Sequence, residues 1–186
     1  MPSTVRMILA ALVIMLPLAA CSSQGSNLPL LDQTRTDEST YRMGPGDKLH
    51  VVVAGADDLT ADYVVGDNGA VSMPLIGDVK ANGLTRGQLE HEMEAKLGQG
   101  YLKNPKVSVA ILSYRPFYIY GEVTKPGEYP YAAGMRVTSA VATAGGYTYR
   151  AQDSYVVVTR DGKDHRALPN MLIRPDDVIR VPERYF

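Results

Sequence analysis

The sequence has few of the residues that carry metal, redox or nucleic-acid chemistry. It contains no tryptophan, one cysteine and three histidines in 186 residues, and its formal charge is −1. A single cysteine excludes an internal disulfide, and the scattered histidines do not have the spacing of metal ligands. A charge this close to zero gives no electrostatic basis for binding nucleic acid. We therefore predict no metal, no cofactor and no nucleic-acid partner.

Motifs of the common enzyme classes are also absent. There is no G-x-S-x-G, no H-E-x-x-H and no phosphate-binding loop. A hydrolase would need an acid–base pair in a cleft, and Glu122 and Glu128 are the nearest candidates. Both flank a Pro-Gly turn, and they are better explained as solvent-facing strand residues. We therefore predict that the protein is not an enzyme.

Only one long hydrophobic run is present, at the N terminus. Residues 7–20 are apolar and follow Arg6, but these 14 residues are too few for a membrane-spanning helix. Residues 1–20 are therefore predicted to be a signal peptide. The run ends in two alanines before Cys21, which resembles the lipobox of bacterial lipoproteins. This resemblance implies lipidation of Cys21, including palmitate, and hence a membrane anchor; the alternative is an ordinary signal peptide followed by an incidental free cysteine.

The rest of the chain divides into a linker and two folded units. Residues 21–40 are mostly polar and predict a lipid-anchored linker that lets the folded body stand off the membrane. The overall composition is globular, with 45% hydrophobic and 21% charged residues. The 17 glycines and 12 prolines favour short strands and many turns. We predict an α+β fold of two small units, residues 41–113 and 114–186.

One turn-and-strand pattern occurs twice, as GPGDKLHVVV and as RPDDVIRV. The shared positions are Pro45 and Pro175, Asp47 and Asp177, Leu49 and Ile179, and Val51 and Val181. Proline sets φ at the second position of the turn, and Gly46 accepts the positive φ that follows. We interpret both copies as structural turns without binding chemistry, in which the two aspartates cap backbone N–H groups.

In the first unit, the sequence predicts strands around one helix. Thr85 and Gln88 have the spacing of a capping box, and apolar residues then recur at every fourth position. The acidic residues of this helix are interpreted as a solvated face. The dipeptide Asn68-Gly69 predicts a β-hairpin that joins the apolar segments 64–65 and 71–73.

In the second unit, several strand-like segments surround one short helical segment. FYIYGEV and EYPYA flank a Lys-Pro-Gly turn, and SYVVVTRDGKDHRALP predicts a hairpin over Asp161-Gly162. Apolar residues at 137–144 predict a helix that ends at a double glycine. Together they predict a small sheet packed against one helix.

The order and spacing of these segments resemble a family of bacterial lipoproteins, the outer-membrane polysaccharide export (OPX) family. GPGD, PLIGDV, GLT and NPKVSV are similar to its polysaccharide export domain. YGEVTKPGEYPY, ATAGGYT and DDVIRVPERYF are similar to its SLBB domain, a ligand-binding β-grasp fold. The chain departs from the family at Asp176, where a glycine is usual.

This resemblance implies a lipid-anchored component of exopolysaccharide or capsule export, on the periplasmic face of the outer membrane. The subunits would form a homo-oligomeric ring that conducts the polysaccharide chain. An inner-membrane polysaccharide co-polymerase and a separate outer-membrane β-barrel pore would be its partners. A separate pore is expected because the sequence ends four residues after Pro182, as in short members of the family. The alternative is a lipid-anchored module that binds a soluble glycan or small ligand and forms no conduit.

Two clusters of tyrosine and arginine are candidates for contacting sugar. Aromatic rings accept the C–H faces of sugars, and arginine donates to their hydroxyl groups. The candidates are Tyr114, Arg115, Tyr118 and Tyr120 near the junction, and Tyr147, Tyr149 and Arg150 after the double glycine. The alternative is that alternate residues of the tyrosine-rich strand pack in the core.

Overall fold

The computed structural model of the protein describes residues 25–32 and 40–184. The elements are β1 (Lys48–Val53), β2 (Ala61–Val64), β3 (Ala70–Met73), β4 (Gly77–Lys80), α1 (Arg86–Leu97), β5 (Val107–Ser113), β6 (Phe117–Gly121), β7 (Gly127–Tyr129), α2 (Val137–Thr143), β8 (Val156–Arg160), β9 (Lys163–Ala167) and β10 (Val178–Val181). A 3₁₀ turn, Asp57–Leu59, lies between β1 and β2. Two separate hydrophobic cores form, one for each half of the chain. The predicted α+β class with two small units is confirmed.

In the first unit, β1 is the central strand of an antiparallel sheet with the order β2-β1-β5. The helix α1 packs against β5 and buries the apolar residues that recur at every fourth position. Thr85 accepts a hydrogen bond from the N–H of Gln88, whose side chain accepts from the N–H of Thr85. The predicted helix and its capping box are therefore confirmed.

The turn at Asn68-Gly69 forms, but the predicted hairpin does not. β2 pairs with β1, whereas β3 pairs with β4 across the next turn. The carbonyl of Gly69 accepts from the N–H groups of Ala81 and Asn82. This turn is therefore tied to the segment after β4 rather than to a strand ladder with β2. A dipeptide predicts a reversal of the chain, but it does not say which strands pair beyond it.

Two acidic residues of α1 have a structural role that the interpretation as a solvated face misses. Glu94 accepts a hydrogen bond from the N–H of Val107 at 3.0 Å, and Glu90 accepts from the N–H of Val109 at 2.9 Å. β5 is an edge strand of its sheet. The two carboxylates therefore satisfy donors that would otherwise offer this edge for pairing with another chain. The interpretation is wrong for these residues because helix periodicity does not reveal which strand lies beneath.

The second unit is a five-stranded mixed sheet with the order β7-β6-β10-β8-β9. β6 and β10 are parallel, and the other neighbours are antiparallel. The helix α2 packs on one face of this sheet and shares its core. β8 and β9 form a hairpin over Asp161-Gly162. The predicted sheet around one helix, and this hairpin, are confirmed.

Part of the predicted linker packs against the second unit instead of standing off from it. The N–H of Leu31 donates to the carbonyl of Arg166 on β9 at 2.8 Å, and the Leu31 side chain is buried in the second core. The Arg166 side chain in turn donates to the carbonyl of Ser26. Residues 25–32 are therefore not the free tether that the sequence predicted, because the apolar LPLL segment, residues 28–31, covers the outer edge of β9.

Candidate functional site

The first copy of the repeated turn ends directly before β1 and buries its aspartate. Gly46 has a φ of 93°, the left-handed region that favours glycine. Asp47 is fully buried, and its carboxylate accepts hydrogen bonds from the N–H groups of Gly44 and Arg115, each at 2.9 Å. The hydroxyl of Tyr41 donates to the same carboxylate, at 2.7 Å to Oδ2. Donors from three places in the chain therefore converge on one carboxylate.

The second copy ends directly before β10 and also buries its aspartate. Asp176 has a φ of 70°, so it adopts the conformation that Gly46 adopts in the first copy. Asp177 is 1% exposed and accepts from the N–H of Arg174 at 2.7 Å. Arg160 donates to both of its carboxylate oxygens, from Nε at 2.8 Å and from Nη2 at 2.7 Å. A buried bidentate ion pair therefore satisfies this second aspartate.

The environment of Tyr41 fixes the protonation state of its hydroxyl group. Burial, and then the nearby charge of Asp47, raise the pKa of Tyr41 well above its ordinary value. The hydroxyl therefore remains a donor to the carboxylate throughout the neutral range. Burial also raises the pKa of Tyr131.

A row of three tyrosines joins the two units. The rings of Tyr41 and Tyr114 meet edge to face with their centroids 4.9 Å apart. Tyr114 makes a second edge-to-face contact with Tyr131, at 5.5 Å. Tyr41 belongs to the first unit and Tyr131 packs against the second core. The two units are therefore joined by aromatic contacts, and by the hydrogen bond from Arg115 to Asp47.

A cleft of about 460 Å³ is lined by residues of both units. The first unit contributes residues 40–43, directly before the first turn, with Asn82 and Gly83, and the second contributes Arg160, Asp161 and the second turn, residues 174–177. Arg115, at the junction of the units, contributes to the lining. The segment before the first turn and the second turn itself thus line a common space, which the sequence pattern alone did not predict.

The sugar-contact candidates from the sequence lie in different surroundings. Tyr114 and Arg115 are half-buried at the junction, and Tyr147 packs against the second core. Tyr118 and Tyr120 are 38% and 46% exposed, because they point away from the core that Phe117 and Ile119 enter. The structure does not bring the two clusters together into one site.

In the second cluster, Tyr149 is 85% exposed, and Arg150 forms an ion pair with Glu183. The neighbouring hydrolase candidate Glu122 accepts a hydrogen bond from the hydroxyl of Thr148. Glu128 lies on β7 opposite Tyr118 and is exposed.

Sequence reasoning missed several arginines at these sites. Arg42, Arg160 and Arg174 line the cleft, and Arg180 lies beside the exposed Tyr120 in the parallel register of β6 and β10. Arg42 and Arg174 could have been noticed, because Arg42 lies two residues before the first copy of the turn and Arg174 is the first residue of the second copy. Arg160 carries no such signal, because its pairing with Asp177 depends on the alignment of β8 with β10.

The lipid-anchor prediction lies outside the described residues, since these begin at residue 25 and Cys21 precedes them. No helix within residues 25–32 and 40–184 has both the length and the apolar character to cross a membrane.

Comparison with known families assigns both units. The profile described as polysaccharide biosynthesis/export protein matches residues 35–112, and the profile described as SLBB domain matches residues 116–169. The chain therefore belongs to the outer-membrane polysaccharide export family, as its segment order predicted, with an export domain followed by an SLBB domain.

Three relatives illustrate the similarity. The chain is 40% identical over 141 residues to the exopolysaccharide production protein ExoF of Rhizobium meliloti. It is 28% identical over 193 residues to the EPS I polysaccharide export outer membrane protein EpsA of Ralstonia solanacearum. It is 28% identical over 134 residues to the polysialic acid transport protein KpsD of Escherichia coli.

These alignments cover most of this chain but a smaller part of each relative. They include 69%, 83% and 70% of the chain, and 32%, 51% and 24% of ExoF, EpsA and KpsD. The chain thus spans between about a quarter and a half of the length of these relatives. Their names refer to the production, export or transport of polysaccharide, and none of them refers to an enzyme activity.

Proposed function

We propose that the protein is a component of a machine that exports exopolysaccharide or capsule. In this proposal a lipid on Cys21 anchors it to the periplasmic face of the outer membrane, and its subunits form a ring that guides the polymer. An inner-membrane co-polymerase delivers the chain, and a separate pore carries it across the outer membrane. The observation that carries the proposal is the presence of both domains of the export family in one chain.

The junction between the two units supports a role in a regular assembly. A ring closes only when every subunit holds its interfaces at the same angle. The tyrosine row and the hydrogen bond from Arg115 to Asp47 restrict rotation of one unit against the other. A junction with these contacts is better suited to a closed ring than a flexible linker would be.

Two of the four outer strand edges of the main sheets are covered, which limits the edges through which neighbouring subunits pair. The edge at β5 is capped by Glu90 and Glu94, and the edge at β9 is covered by residues 29–31. The other edge strands of the two main sheets are β2 and β7. We therefore assign strand addition between subunits, where it occurs, to β2 or β7.

The polymer is proposed to contact the exposed aromatic residues. Tyr118 and Tyr120 lie on the same outer face of β6, and Arg180 on β10 is paired with Tyr120. Tyr149 is a second exposed ring beside Arg150. A transport path needs weak and repeated sugar contacts, and single exposed tyrosines provide them.

The test of this function is complementation of a strain from which the gene has been deleted. The deletion should remove surface polysaccharide, and the wild-type gene should restore it. Cys21→Ser should give an unlipidated, folded protein that fails to restore it, whereas the matched control Ser23→Ala should restore it. Normal surface polysaccharide in the deletion strain would contradict the export function. Restoration by the unlipidated Cys21→Ser protein would contradict the anchor.

A further inference from the structure

The lining of the cleft carries a net formal charge of +1. Its lining contains four arginines and three aspartates. Arg160 is engaged in the bidentate pair with the buried Asp177. The two other aspartates, Asp161 and Asp176, are exposed. The remaining three arginines, Arg42, Arg115 and Arg174, belong to three separate segments that meet at this cleft.

The guanidinium group of Arg115 occupies a space that a glycine leaves open. A Cβ atom built on Gly44 would lie 1.6 Å from Nη1 of Arg115 and 2.7 Å from its Cζ. Gly44 is buried and does not have a positive φ, so a larger residue there would displace the guanidinium group rather than strain the backbone. The backbone N–H of Arg115 is held by Asp47, which fixes the base of the side chain.

Arg115 also retains an unused donor. Its Nε atom is buried, and it has no hydrogen-bond partner among the residues that the structure describes. Buried polar groups are almost always satisfied, so such a donor is unusual. Because Nε itself has almost no accessible surface, an anion in the cleft would contact Arg115 through its terminal Nη atoms.

We propose that this cleft binds an acidic sugar unit of the exported polymer, with the anionic group on Arg115. Guanidinium groups bind carboxylate and phosphate through two parallel hydrogen bonds, and Arg42 and Arg174 add positive charge at the same cleft. The volume of about 460 Å³ is sufficient for a sugar unit. The identity of the ligand as a polymer unit rests on the proposed function, whereas the preference for an anionic sugar rests on the cleft.

The test is a titration of the mature protein with three defined probes, followed by nuclear magnetic resonance. The probes are trigalacturonate, its neutral counterpart galactotriose, and galactose 6-phosphate. The acidic probes should bind more tightly than the neutral one, and their binding should weaken as salt is added. A preference for trigalacturonate identifies a carboxylate sugar, and a preference for galactose 6-phosphate identifies a phosphate sugar.

Two variants test the role of Arg115 in different ways. Arg115→Gln removes the charge and should weaken binding of the preferred acidic probe about tenfold or more. Gly44→Ala keeps every charge but displaces the guanidinium group, and it should weaken binding as well. Arg136→Gln is the matched control, because this exposed arginine lies outside the cleft lining, and it should leave the affinity unchanged.

Equal binding of acidic and neutral probes would overturn the proposal. So would an unchanged affinity in folded Arg115→Gln and Gly44→Ala proteins, where the fold of each is checked by its amide spectrum. Either result, together with loss of surface polysaccharide in the deletion strain, would overturn the proposal of an acidic-sugar site but would leave the proposed export function in place. Normal surface polysaccharide in the deletion strain would instead overturn the export function, whatever the probes bind.

Discussion

Asp47 and Asp177 occupy the same place in two copies of one turn, yet the protein satisfies them differently. Both accept a hydrogen bond from the N–H three residues earlier, and both directly precede a strand. Asp47 is otherwise held by a tyrosine hydroxyl and a backbone N–H, whereas Asp177 is held by a guanidinium group. The turn is thus encoded locally, but its buried charge is compensated by residues outside the turn.

The largest expected effect follows from removal of the charge at Asp177. Asp177→Asn leaves Arg160 without its carboxylate in a largely buried place, and it should lower the free energy of unfolding by about 3–5 kcal/mol. Asp47→Asn should cost less, about 1–3 kcal/mol, because only hydrogen bonds are lost. Urea unfolding of both variants measures the difference, with the exposed Asp161→Asn as control. Equal losses at the two positions would contradict the distinction between them.

The first copy of the turn depends on the backbone conformation of Gly46. Gly46→Val places a β-branched residue at positive φ and should cost about 1–3 kcal/mol of folding free energy. No atom lies within 4 Å of a Cβ at this position, so the cost is one of backbone conformation alone. Gly46→Asp, which imitates the second copy, should cost less than Gly46→Val. Equal thermal stability of Gly46→Val and wild type would show that the turn does not require glycine.

A pH-dependent effect is expected at Tyr41. Its pKa is raised in the folded state by burial and by Asp47, so its contribution is fully present below the unfolded pKa of about 10 and is lost as the pH rises above that value. Above the unfolded pKa and below the folded pKa, the free energy of unfolding falls with a slope of about 1.4 kcal/mol per pH unit for each such group. Tyr41→Phe should reduce this slope and cost about 1–2 kcal/mol near neutral pH. The exposed Tyr149→Phe is the control, and an unchanged slope in Tyr41→Phe would contradict the assignment.

The smallest effect is expected at Asp176. Asp176→Gly relieves the positive φ of a non-glycine residue but increases the freedom of the unfolded chain. These terms oppose each other, so the free energy of unfolding measured in urea should change by less than about 0.5 kcal/mol. A larger loss would indicate that the Asp176 side chain has a structural role at the cleft.

The features that sequence patterns predicted correctly are those encoded over short distances. The capping box at Thr85, the turn at Asp161-Gly162 and the strands after the repeated turns each depend on a few neighbouring residues. The predicted hairpin at Asn68-Gly69 was wrong, because the pairing of β3 with β4 depends on segments beyond the turn. Residues 29–31 were expected in a tether, because no local pattern shows that Leu31 completes a distant core.

The candidate site was only partly predictable for the same physical reason. Tyrosine clusters are visible in the sequence, and their exposure alternates along β6 as strand geometry requires. The cleft is different, because it forms from residues 40–43, 115 and 174–177, which are far apart in the chain. Its arginines become a group only after both units have folded and docked.

The central proposal, that subunits of this protein form a ring, is tested most directly by the mass of the membrane-extracted protein in detergent. Light scattering or native mass spectrometry gives this mass without reference to any partner. We expect a single closed oligomer well above the monomer of 20.2 kDa calculated for the full sequence. A uniform monomer would contradict the ring and favour a lipid-anchored module that binds glycan without forming a conduit.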